Sequence, residues 1–531
     1  MLSWLIGKGR RPLRLAAVPR DHVEGDRDIG AALMRGRLHH RGETLELKGL
    51  DFADHSLDRP IVRLLHSFAW LRDLAAATGR EEGAKLGEAV ARRWLMRHGD
   101  RPDAAWAPAL LGERLLFWTA YAPFVLSGQD ATYRRSMLNT MARGARHLEQ
   151  EADKAAQGLP RITAWAGLTA ASLTMDGKVP RVARCEAGLM RALAQGQHDD
   201  GGLKSRRPWE QALLVDRLGL TRAAYFAAKQ SLPDALEEAA AAALAALHGV
   251  RHGDGGLASW QGGNPGDPQT LNAIVDGCGM RARPLRESRG WGYHRLSALG
   301  TTVQMDAAPP PEAPYASGAH ASTLAIELSD GEQRLVMSCG GGADEPGRLP
   351  PILAAGLRGS AAHSTLIIAE ADSSPITDTG TLQPVIREVP VDRREGDGKS
   401  AMSAEHMGYV RRFGLSHRRD VTLEDTGKLV TGADTLEPQG RRLRRPSRDF
   451  AIRFHLAPGI EASPTADGKG ALLRPAQSPP WQFRCDGGTL GIEDSLVINA
   501  AGRPLKCLQL VIRAAAGKEG ATVHWQFRRS S

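Results

Sequence analysis

Cysteine is scarce in this chain: five residues in 531 (Cys185, Cys278, Cys339, Cys485, Cys507), scattered, odd in number and forming no CxxC pair. That spacing excludes a disulfide framework and a zinc knuckle, and leaves reduced, mostly buried thiols as the expectation. No apolar run approaches the roughly 20 residues of a membrane-spanning helix, so no transmembrane segment is expected. The opening "MLSWLIGKGRRPLRLAAVPR" puts its apolar patch, Met1 to Ile6, ahead of its basic residues. A secretory signal has the reverse order, so no cleavable export signal is read here. Nor do aromatic and basic residues interleave as single-stranded nucleic acid requires, and no nucleic-acid partner is expected.

What is present is ordinary for a folded protein: 42% hydrophobic and 24% charged residues, in a chain long enough for two or three domains. The 69 Lys and Arg exceed the 60 Asp and Glu by nine, a mild preference for anionic partners. The densest basic cluster, Arg441, Arg442, Arg444 and Arg445 in "QGRRLRRPSRD", reads as a solvated loop.

Two periods divide the chain. From about 60 to 280 the apolar residues recur at helical spacing. "IVRLLHSFAWLRDLAAATG" puts Ile61, Leu64, Leu65, Phe68, Leu71 and Ala75 on one stripe. "APALLGERLLFWTAYAPFVL", "ITAWAGLTAASLTM", "VARCEAGLMRALAQG", "PWEQALLVDRLGLTRAAYFAAKQ" and "PDALEEAAAAALAALHGV" follow, separated by short breaks. Long amphipathic helices with short connections predict a stacked or toroidal set of helical hairpins. After "ESRGWGYHRLSALG" the period becomes two, with "STLAIELS", "HSTLIIAE", "RDVTLED", "TLGIEDSLVIN", "KCLQLVIRA" and "ATVHWQF" as strands. The expectation is an α+β multidomain chain: an N-terminal extension (1–59), an α/α toroid of helical hairpins (60–285) and an antiparallel β-sandwich (286–531).

Within the β half, Leu324, Ile326 and Leu328 alternate with polar or small residues, Asp330-Gly331 supplies a turn, and Arg334 to Cys339 return. His320 stands at the mouth of this hairpin, and His363 precedes a second strand. His417 and His455 read as core residues with satisfied nitrogens. In the helical half, "QHDDGGLKSRRPWEQ" and "RHGDGGLASWQGGN" repeat a His, an Asp and two Gly in loops that follow helices. There His198 or His252 could act as a base, Arg206 and Arg207 could hold carboxylates, and Trp209 and Trp260 could stack on sugar rings. Gln211 and Asn264 complete the expected substrate-binding set. The Asp-Gly pairs read equally well as turns.

The motifs "AHASTLAIELSDGEQRLVMSCG", "AAHSTLIIAE", "GLSHRRDVTLEDTGKLVTGADTL" and "FAIRFHLAPG", in that order behind a helical half, resemble the bacterial heparinase II/III family. "AWAPALLGERLLFW" and "DDGGLKSRRPWEQALLVDRL" extend the resemblance into the helices. It implies a polysaccharide lyase that cleaves uronic-acid-containing glycans, heparin-like or other, by β-elimination. Such a reaction needs donors to neutralise the uronate carboxylate, a base for the C5 proton and an acid for the leaving oxygen. In the family an Asn-His pair and a Tyr from the toroid join histidines from the sandwich. Here the Gly-Asn-His stretch falls on Gly158-Leu159-Pro160, and the tyrosine falls near Glu210-Gln211. The His-x-His-Ala-Asp motif becomes Gly318-Ala319-His320-Ala321-Ser322. A divalent metal at His320 and His363 would need the carboxylate that Ser322 replaces, so no cofactor is expected.

The resemblance therefore makes an acidic polysaccharide the expected partner, with His320, His363, His198 and His252 as the candidate catalytic residues. It also implies the cell envelope or periplasm, whereas the missing signal favours the cytoplasm. Two other readings stand beside it. One is a non-catalytic glycan-binding or envelope-assembly protein on a lyase scaffold. The other is an inverting glycoside hydrolase using Asp200, Glu210 or Asp254, which would need a carboxyl separation of about 6.5–9.5 Å.

Overall fold

The computed structural model describes residues 13–52, 56–177, 179–342, 348–440 and 448–530. The Met1–Ile6 patch and the Arg441–Arg445 cluster lie outside the described residues. Helices dominate up to Gly277, and antiparallel strands dominate from Tyr293 onward. The change of period in "GWGYHRLS" thus falls at the first strand of the sandwich. The chain forms two compact units. One comprises residues up to Gln197 with Ala212–Ala241 and Ala273–Arg281; the other comprises His198–Gln211, Ala242–Asn272 and everything from Ala282. The two echoed loops of the helical half therefore belong to the β-rich unit.

The helices start where the chain satisfies open amides. Asp130 caps Ala131–Glu151 by accepting from the Thr132 and Tyr133 amides at 2.9 and 3.0 Å, a contact worth about 1 kcal/mol. Pro108 and Pro160 occupy first turns, where no amide donor is needed, in Pro108–Ala120 and Leu159–Thr174. These two helices cross at Gly112 and Gly167, where an added Cβ on either would strike the other helix's backbone. Two expected helices divide: "APALLGERLLFWTAYAPFVL" becomes Pro108–Ala120 and Ala122–Val125, interrupted at Tyr121. "IVRLLHSFAWLRDLAAATG" is two helices, Pro60–Ser67 and Leu71–Ala77, because Phe68 takes a left-handed conformation (φ 62°) and ends the first. Its ring lies 5.2 Å from Trp118 and 5.5 Å from Trp70, so aromatic burial outweighs helix continuity.

The sandwich has two eight-stranded antiparallel sheets. In spatial order the first runs Val391–Gly396, Lys399–His406, Leu415–Glu424, Leu429–Pro438, Ala521–Arg529, Trp481–Asp486, Gly470–Arg474, Glu461–Pro464. The second runs Thr489–Ile498, Pro504–Ala515, Asp449–Leu456, Gln333–Met337, Ile326–Asp330, Thr301–Asp306, Tyr293–Ala298, and Leu366–Ile368 also pairs with Asp449–Leu456. Alternate residues of both sheets point into one core: Val421, Leu423, Val430 and Val523 from the first, Val303, Met305, Ile326 and Ile452 from the second. Phe454 joins them, 5.0 Å from Trp525 and 5.5 Å from Phe527. Each such buried side chain contributes about 1.5–3 kcal/mol.

The expected hairpin is present as Ile326–Asp330 and Gln333–Met337, turning at Gly331 (φ 57°) with a bulge after Leu328. Leu324 lies outside it, in a left-handed conformation (φ 64°). Its carbonyl accepts from Arg419 Nη1 at 2.8 Å, part of a charged node inside the apolar core. There Asp434 accepts from His417 Nε2 and Arg419 Nε at 2.7 Å, Trp525 Nε1 at 2.8 Å and Arg419 Nη2 at 2.9 Å. Four donors on one buried carboxylate offset its desolvation. His417 and His455 are core residues with both nitrogens engaged: His455 contacts Ser495 Oγ at 2.8 Å and the Ala361 carbonyl at 3.0 Å.

Candidate functional site

The site is built on the two echoed loops, and they are alike in structure as well as sequence. In each, the histidine amide donates to the carbonyl four residues on (Gly202, Gly256) at 2.8 Å, and the first of the paired glycines, Gly201 or Gly255, returns an amide to the histidine carbonyl. Both of those glycines have φ above 80°, which L side chains resist. Asp200 and Asp254 each accept from the second glycine's amide, Gly202 or Gly256. Their remaining capacity pins the loops: Asp200 Oδ2 takes Ser288 Oγ at 2.6 Å and the Gly290 and Trp291 amides at 3.0 and 2.9 Å. Asp254 takes Arg334 Nε and Nη2 at 2.7 and 3.1 Å. Glu210 accepts from Ser205 Oγ at 2.6 Å and Arg207 Nη1 at 3.2 Å. All three carboxylates are thus engaged by protein donors.

Arg206 is placed differently from the expectation. It is 3% exposed, in a left-handed conformation (φ 57°). Its guanidinium donates to the Trp291 carbonyl at 2.8 Å, to the Pro309 carbonyl at 2.7 Å and to Asp306 Oδ1. It also lies 4.7 Å from the centre of the Tyr293 ring. Tyr293 returns its hydroxyl to the Arg206 carbonyl at 2.6 Å. Such a guanidinium has no free fork to offer a carboxylate ligand. Asp306 continues the network by accepting from Ser322 Oγ at 2.6 Å; Gln261 Nε2 donates to Ser322 Oγ at 2.8 Å, and Gln261 Oε1 accepts the His320 amide at 3.0 Å. Gln261, too, has a positive φ (51°). Two residues of one hydrogen-bonded chain held in a costly conformation mark a built site.

That chain ends at the histidine pair. His320 Nδ1 lies 3.2 Å from His363 Nε2, both rings are buried, and His363 Nδ1 has no partner. Burial lowers both pKa values, His363 to about 3 and His320 well below its ordinary value, where the His363, Arg358 and Arg207 charges add to burial. Both are therefore neutral imidazoles at neutral pH. Two cations flank them. Arg207 donates to Glu210 and the Ser317 carbonyl, and Arg358 Nε donates to the Ala319 carbonyl at 2.9 Å while its Nη2 is buried without a partner. The residues do not fit a divalent cation: the imidazoles are bonded to each other, Ser322 donates to Asp306, and among the described residues no three His, Cys, Asp or Glu converge.

The other candidates are distributed around this core. His252 is buried, with Nε2 3.0 Å from Glu327 Oε2 and Nδ1 2.9 Å from Ser329 Oγ. Burial pushes Glu327 up to about 7 and His252 well down. Trp260 is 0% exposed and stacks on Tyr293 at 4.9 Å, so its faces meet protein instead of sugar. Gln211, also 0% exposed, is consumed by the Leu203 amide and the Gly201 and Ala243 carbonyls, all at 2.9 Å. Asn264 closes its own turn by accepting the Gly266 amide at 2.9 Å. His198, Arg207 and Trp209 are half-buried. The residues that sequence reasoning missed are Gln261, Tyr293, Asp306 and Arg358. Arg358, five residues before His363 in "LRGSAAHST", and Gln261, next to Trp260 in "RHGDGGLASWQGGN", carried a local signal.

Comparison with known proteins places this geometry. Residues 280–526 match the family described as heparinase II/III-like, C-terminal. FtsZ-localized protein C of Caulobacter vibrioides (strain NA1000 / CB15N) is 28% identical over 540 residues, covering 98% of this chain and 91% of that protein. Among solved structures, heparinase III superposes with a TM-score of 0.68 at 13% identity, covering 97% of this chain and 85% of the other. A heparan sulfate lyase from Pedobacter heparinus gives 0.61 at 14%, covering 95% and 83%. At those identities the likeness is one of fold: the toroid and sandwich of heparinase III. The β-rich part thus matches the heparinase II/III-like C-terminal family, and the chain as a whole has the fold of heparinase III.

Proposed function

We propose that this chain is a non-catalytic assembly protein on a heparinase II/III-like scaffold, localising with FtsZ. One observation carries this reading: the side chains that the sequence offered for glycan contact and proton transfer, Arg206, Gln211, Trp260 and His252, are buried and bonded to the protein itself. The stretch where the family holds its Asn-His pair reads Gly158-Leu159-Pro160, and Glu210-Gln211 contain no tyrosine. Similarity to an FtsZ-localized protein along nearly the full length of both chains supports the same reading. It goes with the cytoplasmic alternative for localisation, which cell fractionation tests.

A second reading, lyase action on acidic polysaccharides, is favoured by the neutral His320–His363 pair with Arg207 and Arg358 beside it. Two assays separate the two. Incubation with heparan sulfate, chondroitin sulfate and alginate is expected to give no unsaturated product absorbing in the near ultraviolet, while the protein sediments with FtsZ polymers. Unsaturated product that disappears in His320→Ala would return the protein to lyase chemistry. Retention on heparin that fades with salt, and fades further in Arg207→Gln, would indicate glycan binding without turnover, because such contacts are screened over about 8 Å at physiological ionic strength.

A further inference from the structure

In the helical unit the segment Arg20–Val23 passes over two glycines. A Cβ on Gly219, within the helix Pro208–Ala227, would strike the His22 ring, and one on Gly277, at the end of Pro268–Gly277, would strike the His22 carbonyl. The glycines thus seat His22 at a fixed place. Its side chain is 8% exposed and neither ring nitrogen makes a hydrogen bond, although Nδ1 is 3.6 Å from Asp21 and Nε2 is 3.4 Å from Asp216. Both carboxylates are satisfied elsewhere. Asp21 accepts from Arg72 Nε at 2.8 Å, Arg72 Nη2 at 3.0 Å and the Tyr121 hydroxyl at 2.8 Å. Asp216 accepts from Arg72 Nη2 at 2.9 Å and from Arg217, which also holds Glu113 at 2.6 Å.

Against this seat lies a cavity of about 340 Å³ lined by Arg20, Asp21, His22, Arg222, Phe226 and Cys278, among others. Arg222 donates to the Cys278 carbonyl at 3.3 Å and sits 4.8 Å from the centre of the Phe226 ring, and its Nε is buried without a partner. Among the described residues no carboxylate pairs with Arg222 or Arg20, and Phe226 is 60% exposed. Two guanidiniums that form no ion pair among the described residues and an exposed phenyl ring stand around a space of small-molecule size, whose wall carboxylate, Asp21, is already taken by Arg72 and Tyr121. That combination complements an oxyanion attached to an apolar body.

We propose that this cavity binds a small oxyanion, a carboxylate or a phosphate monoester, that carries an apolar ring. Arg222 and Arg20 hold the anion, and Phe226 covers the ring. The site shares no residue with the histidine pair of the β-rich unit, so it stands whether or not the protein associates with FtsZ.

Isothermal titration of the full chain with phenyl phosphate, benzoate and inorganic phosphate tests it. Phenyl phosphate or benzoate is expected to bind with a Kd of about 1 mM or tighter, and whichever is preferred tells phosphate from carboxylate. Inorganic phosphate, lacking the ring, binds more weakly. Arg222→Gln is expected to weaken the preferred probe about tenfold or more. Phe226→Ala is expected to erase the advantage of phenyl phosphate over inorganic phosphate. Arg20→Gln and Phe226→Ala alter exposed side chains, so they decide the matter even if Arg222→Gln fails to fold. No heat with any probe, or unchanged affinity in the folded variants, would overturn the proposal.

Discussion

His320 Nδ1 and His363 Nε2 face each other at 3.2 Å, and behind them His363 Nδ1 is sealed from solvent with no partner. Between two neutral imidazoles one nitrogen donates and the other accepts. A buried N–H without a partner is rarer than a buried lone pair without one. The pair therefore resolves with His363 Nε2–H donating to His320 Nδ1, leaving the His320 proton on Nε2. In that tautomer His320 offers a donor, not a base. Imidazole ¹⁵N spectra are expected to show the Nε2–H form for both rings. Because burial lowers both pKa values, His363 to about 3, both rings are expected to stay neutral at neutral pH, and His363 down to mildly acidic pH.

The same burial links this site to acid stability. The folded pKa values lie below the unfolded value of about 6.5, so the unfolded chain binds more protons at mildly acidic pH. Stability from these histidines is present above pH 6.5 and falls as pH drops below it. His363→Gln is expected to flatten that acid limb in urea titrations. An unchanged slope below pH 6.5 would place the two pKa values near normal.

Glu327 acts in the opposite sense. Its folded pKa, pushed up to about 7, exceeds that of an unfolded glutamate. The folded chain therefore holds the extra proton, and the stabilisation it gives is lost as pH rises through 7. Glu327→Gln keeps an acceptor for the Ser259 amide, now at 2.8 Å. Relative to wild type it is expected to gain stability between pH 5.5 and 8, as read from urea midpoints at the two pH values.

Arg206→Ala leaves Asp306 buried without its cation. A cost of about 3–5 kcal/mol is expected, with the unfolding midpoint falling accordingly. Arg206→Lys should recover only part of it, because one ammonium cannot reach Trp291, Pro309 and Asp306 with the geometry of a guanidinium.

In the helical unit Gly167→Val forces a side chain against the backbone of Gly112. A loss of about 1–3 kcal/mol is expected from this overpacking. Gly144→Ala is the comparison: its Cβ would stand 3.1 Å from the Leu111 side chain, which has room to adjust. Thermal unfolding of the two variants separates backbone crossing from ordinary side-chain contact.

Much of this architecture was legible in the residues. Alternation plus Asp330-Gly331 located the hairpin at Ile326–Met337, and "VARCEAGLMRALAQG" coincides with the helix Val182–Gly196. These are local matters: side-chain period and turn chemistry act over a few residues, and a chain of this composition expresses them wherever burial agrees. The echoed His-Asp-Gly-Gly loops were likewise visible, since their hydrogen bonds close within five residues. Phe68 shows the limit, because a helical stripe was broken there by aromatic partners, one of them fifty residues away. The site was decided by tertiary structure. Arg206 meets Asp306 across 100 positions, Gln261 meets Ser322 across 61, and His320 meets His363 across 43. Whether an arginine reaches a ligand or fills a core depends on which charges the fold brings to it, because a buried guanidinium must be paired by whatever lies nearest in space.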